Sequence, residues 1–146
     1  MLQQVKIKAI YPESQMPQKL HHDDVGADLT VVKYKQLNEK VFLLDMGVSV
    51  EPPPGYYLEL HSRSSIHKTN FMMANKVGII DPGYRGVLYM PVRYLGNNDA
   101  EQEVKELVGK RFGQLILRKH EPFEIMAVDE LGESQRGENG LGSTGN

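Results

Sequence analysis

Among the 146 residues there is no cysteine and no tryptophan. Without cysteine there is no disulfide framework, no thiolate metal site and no covalent or redox thiol chemistry, which fits a reducing compartment. Long apolar runs are missing as well. No stretch approaches the roughly 20 apolar residues that cross a bilayer, and the start, MLQQVKIKAIYPES, lacks the basic segment and apolar run of a targeting sequence. The expectation is a soluble protein of the cytoplasm, or of the nucleus or host cell for a eukaryotic or viral source. Nor is there an excess of either charge: 17 Lys and Arg stand against 19 Asp and Glu, a net charge of -2. Direct binding to nucleic acid, which takes many cations on one face, is not expected. Any polyanion site must be local.

What is present is an ordinary globular composition, 40% hydrophobic and 25% charged, in a chain long enough for one domain with a real core. Short β-type runs recur: VKIKAI (5–10), ADLTVV (27–32), KVFLL (40–44), GYYLEL (55–60), VLYMPVRYL (87–95), FGQLILRKH (112–120) and FEIMAV (123–128). Between them stand YPESQMP, EPPPG, DPG and LGNND, rich in residues that set turns or bar helix. No long stretch has helical period; SSIHKTN predicts one short helical turn and AEQEVKEL is the other weak candidate. The pattern predicts an all-β protein, an antiparallel sandwich or barrel, without repeats or an internal linker. Residues 1–131 form the expected core and 132–146 a glycine-rich arm.

Three constellations carry chemistry. In ANKVGIIDPGYRG (74–86) an apolar strand runs into Asp81, a Pro82-Gly83 turn, Tyr84 and Arg85, and a hairpin is expected across the turn. Asp at such a junction is either a turn residue bonding nearby backbone or a carboxylate that holds a water as general base. In HSRSSIHKTN (61–70) Arg63 lies next to two hydroxyls at a helical start, which suits a phosphate and equally suits a capping box. In DDVGADL (23–29) Asp28 sits at the start of an apolar strand, where a carboxylate wants a partner such as a cation, unless it caps a turn.

Other chemistries fare worse. His21, His22, Asp23 and Asp24 are adjacent on a polar loop, and neighbours on a strand point to opposite faces. His61 and His67 lack a third ligand at useful spacing. No G-x-S-x-G elbow exists, and GKR at 109–111 lacks the upstream glycine and the Ser/Thr of a P-loop.

The closing stretch, RGENGLGSTGN (136–146), has glycines at the spacing of a dinucleotide fingerprint, but no helix follows Gly145 in this sequence to face a pyrophosphate. From Gly132 onward Leu141 is the only apolar side chain, too little to offset the entropy of ordering the segment. The alternatives are a mobile terminus or a tail that orders on an anion, through Arg136, Ser143, Thr144 and unhindered backbone N–H groups.

Taken in order, VGADL, SRSSIHK, ANKVGIIDPGYRG, GKRFGQLIL and RGENGLGSTGN resemble the five motifs of the trimeric deoxyuridine triphosphatases, from residue 25 to the last. The resemblance implies a jelly-roll-like subunit of the β-clip kind with a flexible C-terminal arm, in a homotrimer whose sites are shared between subunits. It implies hydrolysis of dUTP to dUMP and pyrophosphate with Mg²⁺, limiting uracil in DNA and supplying dUMP for dTTP synthesis. It implies that Asp81 orients and deprotonates the water attacking the α-phosphorus and that Tyr84 packs on the deoxyribose, leaving no room for a 2′-hydroxyl. Asn75, with the backbone of Gly78, Ile79 and Ile80, reads uracil, and Tyr89 belongs to the same substrate-binding set. Arg63, Ser64, Ser65 and Gln114 hold phosphates; Arg136, Leu141, Gly142, Ser143 and Thr144 belong to the closing arm; Asp28 reaches Mg²⁺ through water.

The chain departs from the family pattern at Ser62, often Pro, at Val87, often Glu, and at Leu141, usually the Phe that covers uracil. Leu lacks the flat stacking face, so weaker arm closure is expected. The related dCTP deaminases share the fold and the Arg-Ser-Ser cluster but carry a catalytic Glu where Pro91 stands here. A catalytically idle nucleotide-binding module would lack the Asp or the arm arginine, whereas Asp81 and Arg136 are both present. A lectin-like or capsid jelly roll explains the fold but not these clusters.

Overall fold

The computed structural model describes residues 1–142 and 145. Strands β1 Lys6–Ala9, β2 Gly26–Thr30, β3 Lys33–Gln36, β4 Val41–Asp45 and β5 Val48–Glu51 lead into β6 Tyr56–Ser62 and a 3-10 turn at Ser64–Lys68. Then come β7 Phe71–Met73, β8 Gly78–Ile80, β9 Tyr89–Tyr94, helix α1 Ala100–Lys105 and β10 Arg111–Lys119.

The strands form two four-stranded sheets, β2-β10-β6-β8 and β3-β4-β9-β7, and a β1-β5 pair. All described strand pairs are antiparallel. Alternation sets each face: along β6, Leu58 and Leu60 are buried while Tyr57, Glu59 and His61 look outward. Phe42, Leu44, Met90 and Val92 face them from the other sheet in the same hydrophobic cluster. The result is a sandwich and not a closed barrel. Asp99 caps α1 by accepting from the Gln102 N–H at 3.1 Å, and Val104 and Leu107 seal the core from that end.

Two expectations fail. FEIMAV is not a strand: Phe123, Ile125 and Met126 are 83, 90 and 81% exposed, and no strand among the described residues pairs with them. Its alternation is β-like, but a strand needs a partner, and β10 ends at Lys119 with the next sheet edges already placed. The expected hairpin across Pro82-Gly83 is also absent. β8 pairs with β6 and β9 pairs with β4 and β7, so this turn carries the chain from one sheet to the other.

Candidate active site: a cationic groove and a distant turn

Asp28, Gln114 and His61 lie side by side across β2, β10 and β6, because Gln114 is the register partner of both others. The Gln114 side chain lies flat on this face, donating to Ser62 O at 2.9 Å and covering Gly26, where a Cβ would collide with its amide. The glycine of VGADL is therefore required by close approach.

Asp28 is flanked by two guanidiniums: Oδ1 is 3.0 Å from Arg63 Nε and Oδ2 3.6 Å from Arg111 Nη1. Arg63 Nη1 also donates to Arg111 O at 3.1 Å. Asp28 and Arg63 side chains are only 19 and 34% exposed, so this pairing is less screened than a surface ion pair. Two guanidiniums thus flank one carboxylate. The cluster lines a groove of about 420 Å³ with Gln18, His21, Asp24, Ser64 and Gln114. Ser64 opens the 3-10 turn, which has no side-chain cap, and Ser65 follows it. The capping-box alternative is thus not what the structure contains.

Arg111 was not singled out by sequence reasoning. Counting by two puts it on the opposite face from Gln114, but a bulge between Arg111 and Gly113 shifts the register and brings both to Asp28. The signal was only its place inside GKRFGQLIL.

The second cluster lies where β8 ends. Asp81 is exposed, and the Tyr84 N–H donates to its carbonyl at 3.0 Å. The Tyr84 ring folds back over Gly86, where a Cβ would strike it, and its hydroxyl donates to Val87 O at 2.8 Å. Asn75 precedes Lys76, whose φ of 62 is left-handed, and its amide reaches over Gly78, 3.8 Å from where a Cβ would stand. Ile79 is 58% exposed, whereas Ile80 turns its side chain into the core and offers only backbone. Tyr89 is half exposed on β9, in the other sheet.

These clusters are far apart in one chain. β10 and β6 separate β2 from β8, and Asp81 falls level with Tyr57 while Asp28 is level with His61. Three strand spacings across and four residues along make a separation of about 20 Å. Among the described residues of the arm, Arg136, Leu141 and Gly142 are exposed, and Arg136 Nε donates to Asn139 O at 2.7 Å. Ser143 and Thr144 lie outside the described residues.

Elsewhere, the Asp24 carboxylate accepts from the His21 N–H at 2.8 Å, a turn contact. Among the described residues no group of three or more His, Asp or Glu side chains is arranged to hold a metal ion. Beside Gln114, the His61 hydrogen bond holds the Glu59 carboxyl below its usual range, with Tyr57 and Arg118 adding to the effect against the opposing pull of burial.

A family model for dUTPase matches residues 12–145. The chain belongs to the dUTPase family. A deoxyuridine 5′-triphosphate nucleotidohydrolase of Thermobifida fusca (strain YX) is 34% identical over 144 residues, covering 97% of this chain and 78% of the relative. One from Escherichia phage T5 is 33% identical over 149 residues, covering 97 and 98%. The structure of Staphylococcus bacteriophage 80alpha dUTPase with dUPNHPP is similar at a TM-score of 0.81 and 25% identity, covering 98% of this chain and 99% of that one. These dUTPase relatives therefore align over nearly the whole fold, both clusters included.

Proposed function

We propose that this chain hydrolyses dUTP to dUMP and pyrophosphate, in a homotrimer whose sites are shared between subunits. The observation that carries the reading is the pair of clusters: a carboxylate near an exposed aromatic ring at one place and an arginine- and amide-lined groove at another. A base acting at the α-phosphorus must lie within hydrogen-bond reach of the phosphates the groove would hold, a condition that clusters about 20 Å apart in one chain do not satisfy. Clusters from neighbouring chains meet that need. The unpaired, exposed Phe123, Ile125, Met126, Val128 and Leu131 support association, since apolar surface on that scale favours burial against a partner.

In this mechanism the base and sugar rest on the turn. Asn75 and the backbone of Gly78, Ile79 and Ile80 pair with the uracil edge, and Tyr84, with Tyr89 in the same set, packs against the deoxyribose. Discrimination follows because a wrong base leaves those buried polar groups unpaired. Asp81 accepts a proton from the water it aims in line at the α-phosphorus, and general-base help of this kind supplies roughly 10²–10⁴ in rate. Arg63, Ser64, Ser65 and Gln114 of a neighbouring chain hold the phosphates and spread the charge that accumulates on the leaving pyrophosphate. The arm, residues 132–146, closes over the nucleotide with Arg136, Leu141, Gly142, Ser143 and Thr144.

Mg²⁺ fits these residues as an ion that arrives on the triphosphate. Both Asp28 oxygens face guanidiniums, and Asp24 lines the same groove, so Asp28 would meet the ion through its water shell. The chemistry such an ion would supply there is neutralisation of phosphate charge. The consequences for the cell are less uracil in DNA and a supply of dUMP for dTTP synthesis.

The test is incubation with Mg²⁺ and each of dUTP, dCTP, dTTP and UTP, assaying pyrophosphate and ammonia. Pyrophosphate from dUTP alone is expected. Ammonia from dCTP, or no product from any of the four, rejects the reading.

A further inference from the structure

We propose that Arg85 is a positioning residue, a clamp that holds Asp81 and Tyr84 in one rigid turn; this rests on the roles given to those two residues above. β8 ends at Ile80 and β9 begins at Tyr89, so no sheet ladder fixes the residues between. Asp81 is exposed and its direction depends on the backbone of the turn. That turn contains Gly83, around which a Cβ would meet nothing within 4 Å. Apart from the Tyr84 N–H bond to Asp81 O across the turn, no packing among the described residues restrains it, and glycine is the residue with the most backbone freedom.

Arg85 supplies the restraint. Its Nη1 donates to Pro82 O at 2.6 Å and to Tyr84 O at 3.1 Å, so one guanidinium ties together the carbonyls on either side of Gly83. Its Nε lies 4.0 Å from Glu51 Oε2, and Glu51 Oε1 accepts from Lys6 Nζ at 3.2 Å. The clamp is thereby referred to the β1-β5 pair instead of floating with the turn. Arginine suits this place because its planar fork fixes donor directions, whereas an ammonium is a freely rotating point charge. Arg85 uses Nη1 on backbone carbonyls, so it acts through Asp81 and Tyr84. A clamp loosened here misdirects the base and the sugar contact together, and displacements near 1 Å are enough to slow an aligned reaction by up to about 10²-fold.

The experiment compares wild type with Arg85→Gln, Arg85→Lys and Glu51→Gln, measuring kcat and KM for dUTP and for UTP, with thermal unfolding in parallel. Arg85→Gln is expected to lower kcat about tenfold or more, to leave the dUTP KM within about threefold, and to reduce the preference for dUTP over UTP. Arg85→Lys restores part of the loss and Glu51→Gln shows a smaller one. A kcat and a dUTP preference within about twofold of wild type overturn the proposal. A loss confined to KM makes Arg85 a direct substrate contact, and a lowered Tm with unchanged kcat makes it a fold residue; either result also overturns it. Wild type that releases no pyrophosphate from dUTP rejects the hydrolase reading itself. The clamp is then judged by amide hydrogen exchange at Gly83 and Tyr84, which Arg85→Gln must accelerate at least about tenfold; unchanged exchange overturns it.

Discussion

Two tyrosines in this chain stand two residues before a glycine, and both fold the ring back over it, at Tyr84-Arg85-Gly86 and at Tyr94-Leu95-Gly96. The local device is the same and the outcome is opposite. Tyr94 is 3% exposed, packs on Phe71 with ring centroids 5.3 Å apart, donates to Glu103 and accepts from the Asn98 N–H at 3.1 Å. The Glu103 hydrogen bond first, and burial second, raise its pKa above the ordinary value, so the phenol keeps its proton. Tyr84 is 42% exposed, and among the described residues its hydroxyl bonds the nearby Val87 carbonyl. A buried ring must find partners for its polar tip and becomes a rivet between β9 and α1. An exposed ring held only by its own backbone keeps a free face for a ligand.

The largest expected effect lies on the exposed side. Asp81→Asn is expected to reduce dUTP turnover by about 10³-fold, with nucleotide binding by calorimetry and the unfolding midpoint retained. Normal turnover would remove Asp81 as the base. Next, Tyr94→Ala is expected to cost about 3–5 kcal/mol in urea unfolding, whereas Tyr84→Ala loses under about 1 kcal/mol and shows its defect in discrimination between dUTP and UTP. Equal stability losses would break the comparison. The glycines separate the regions more finely: Gly96→Ala should destabilise by about 1–3 kcal/mol through overpacking, while Gly86→Ala should lift the Tyr84 ring and lower the dUTP preference several-fold. Smallest is the removal of each hydroxyl. Tyr94→Phe removes the partner of Glu103 Oε2 and of the Asn98 N–H, while Oε1 keeps Asn70, at about 1–2 kcal/mol, against a few tenths for Tyr84→Phe, which chemical denaturation resolves only in a paired measurement.

How much of this was legible in the sequence follows from where each feature is encoded. KVFLL and FGQLILRKH announce themselves because alternation or continuous apolar character spans a whole strand. β3, β5 and β7 hold four, four and three residues, too few for a pattern to rise above chance. FEIMAV has the right alternation and no strand partner among the described residues, a condition that local sequence does not report. Asp81 was legible from Pro-Gly turn chemistry, but the pairing of β8 with β6 was not, since strand neighbours are chosen across the fold. Likewise VGADL, SRSS and FGQL give no sign alone that Asp28, Arg63, Ser64 and Gln114 share one groove. The bulge at Arg111 defeated simple counting, and with it went the second guanidinium on Asp28.

The separation of the turn from the groove has a genetic consequence. Under the shared-site reading, with Asp81 and Asp28 about 20 Å apart in each chain, a subunit damaged at its turn would still lend an intact groove to its neighbour. An allele broken at Asp81 and another broken at Arg63 would each be inactive alone yet complement when co-assembled. On the same reading a mixed population of trimers would keep a fraction of working sites, and dominance at this locus would depend on which cluster a mutation strikes.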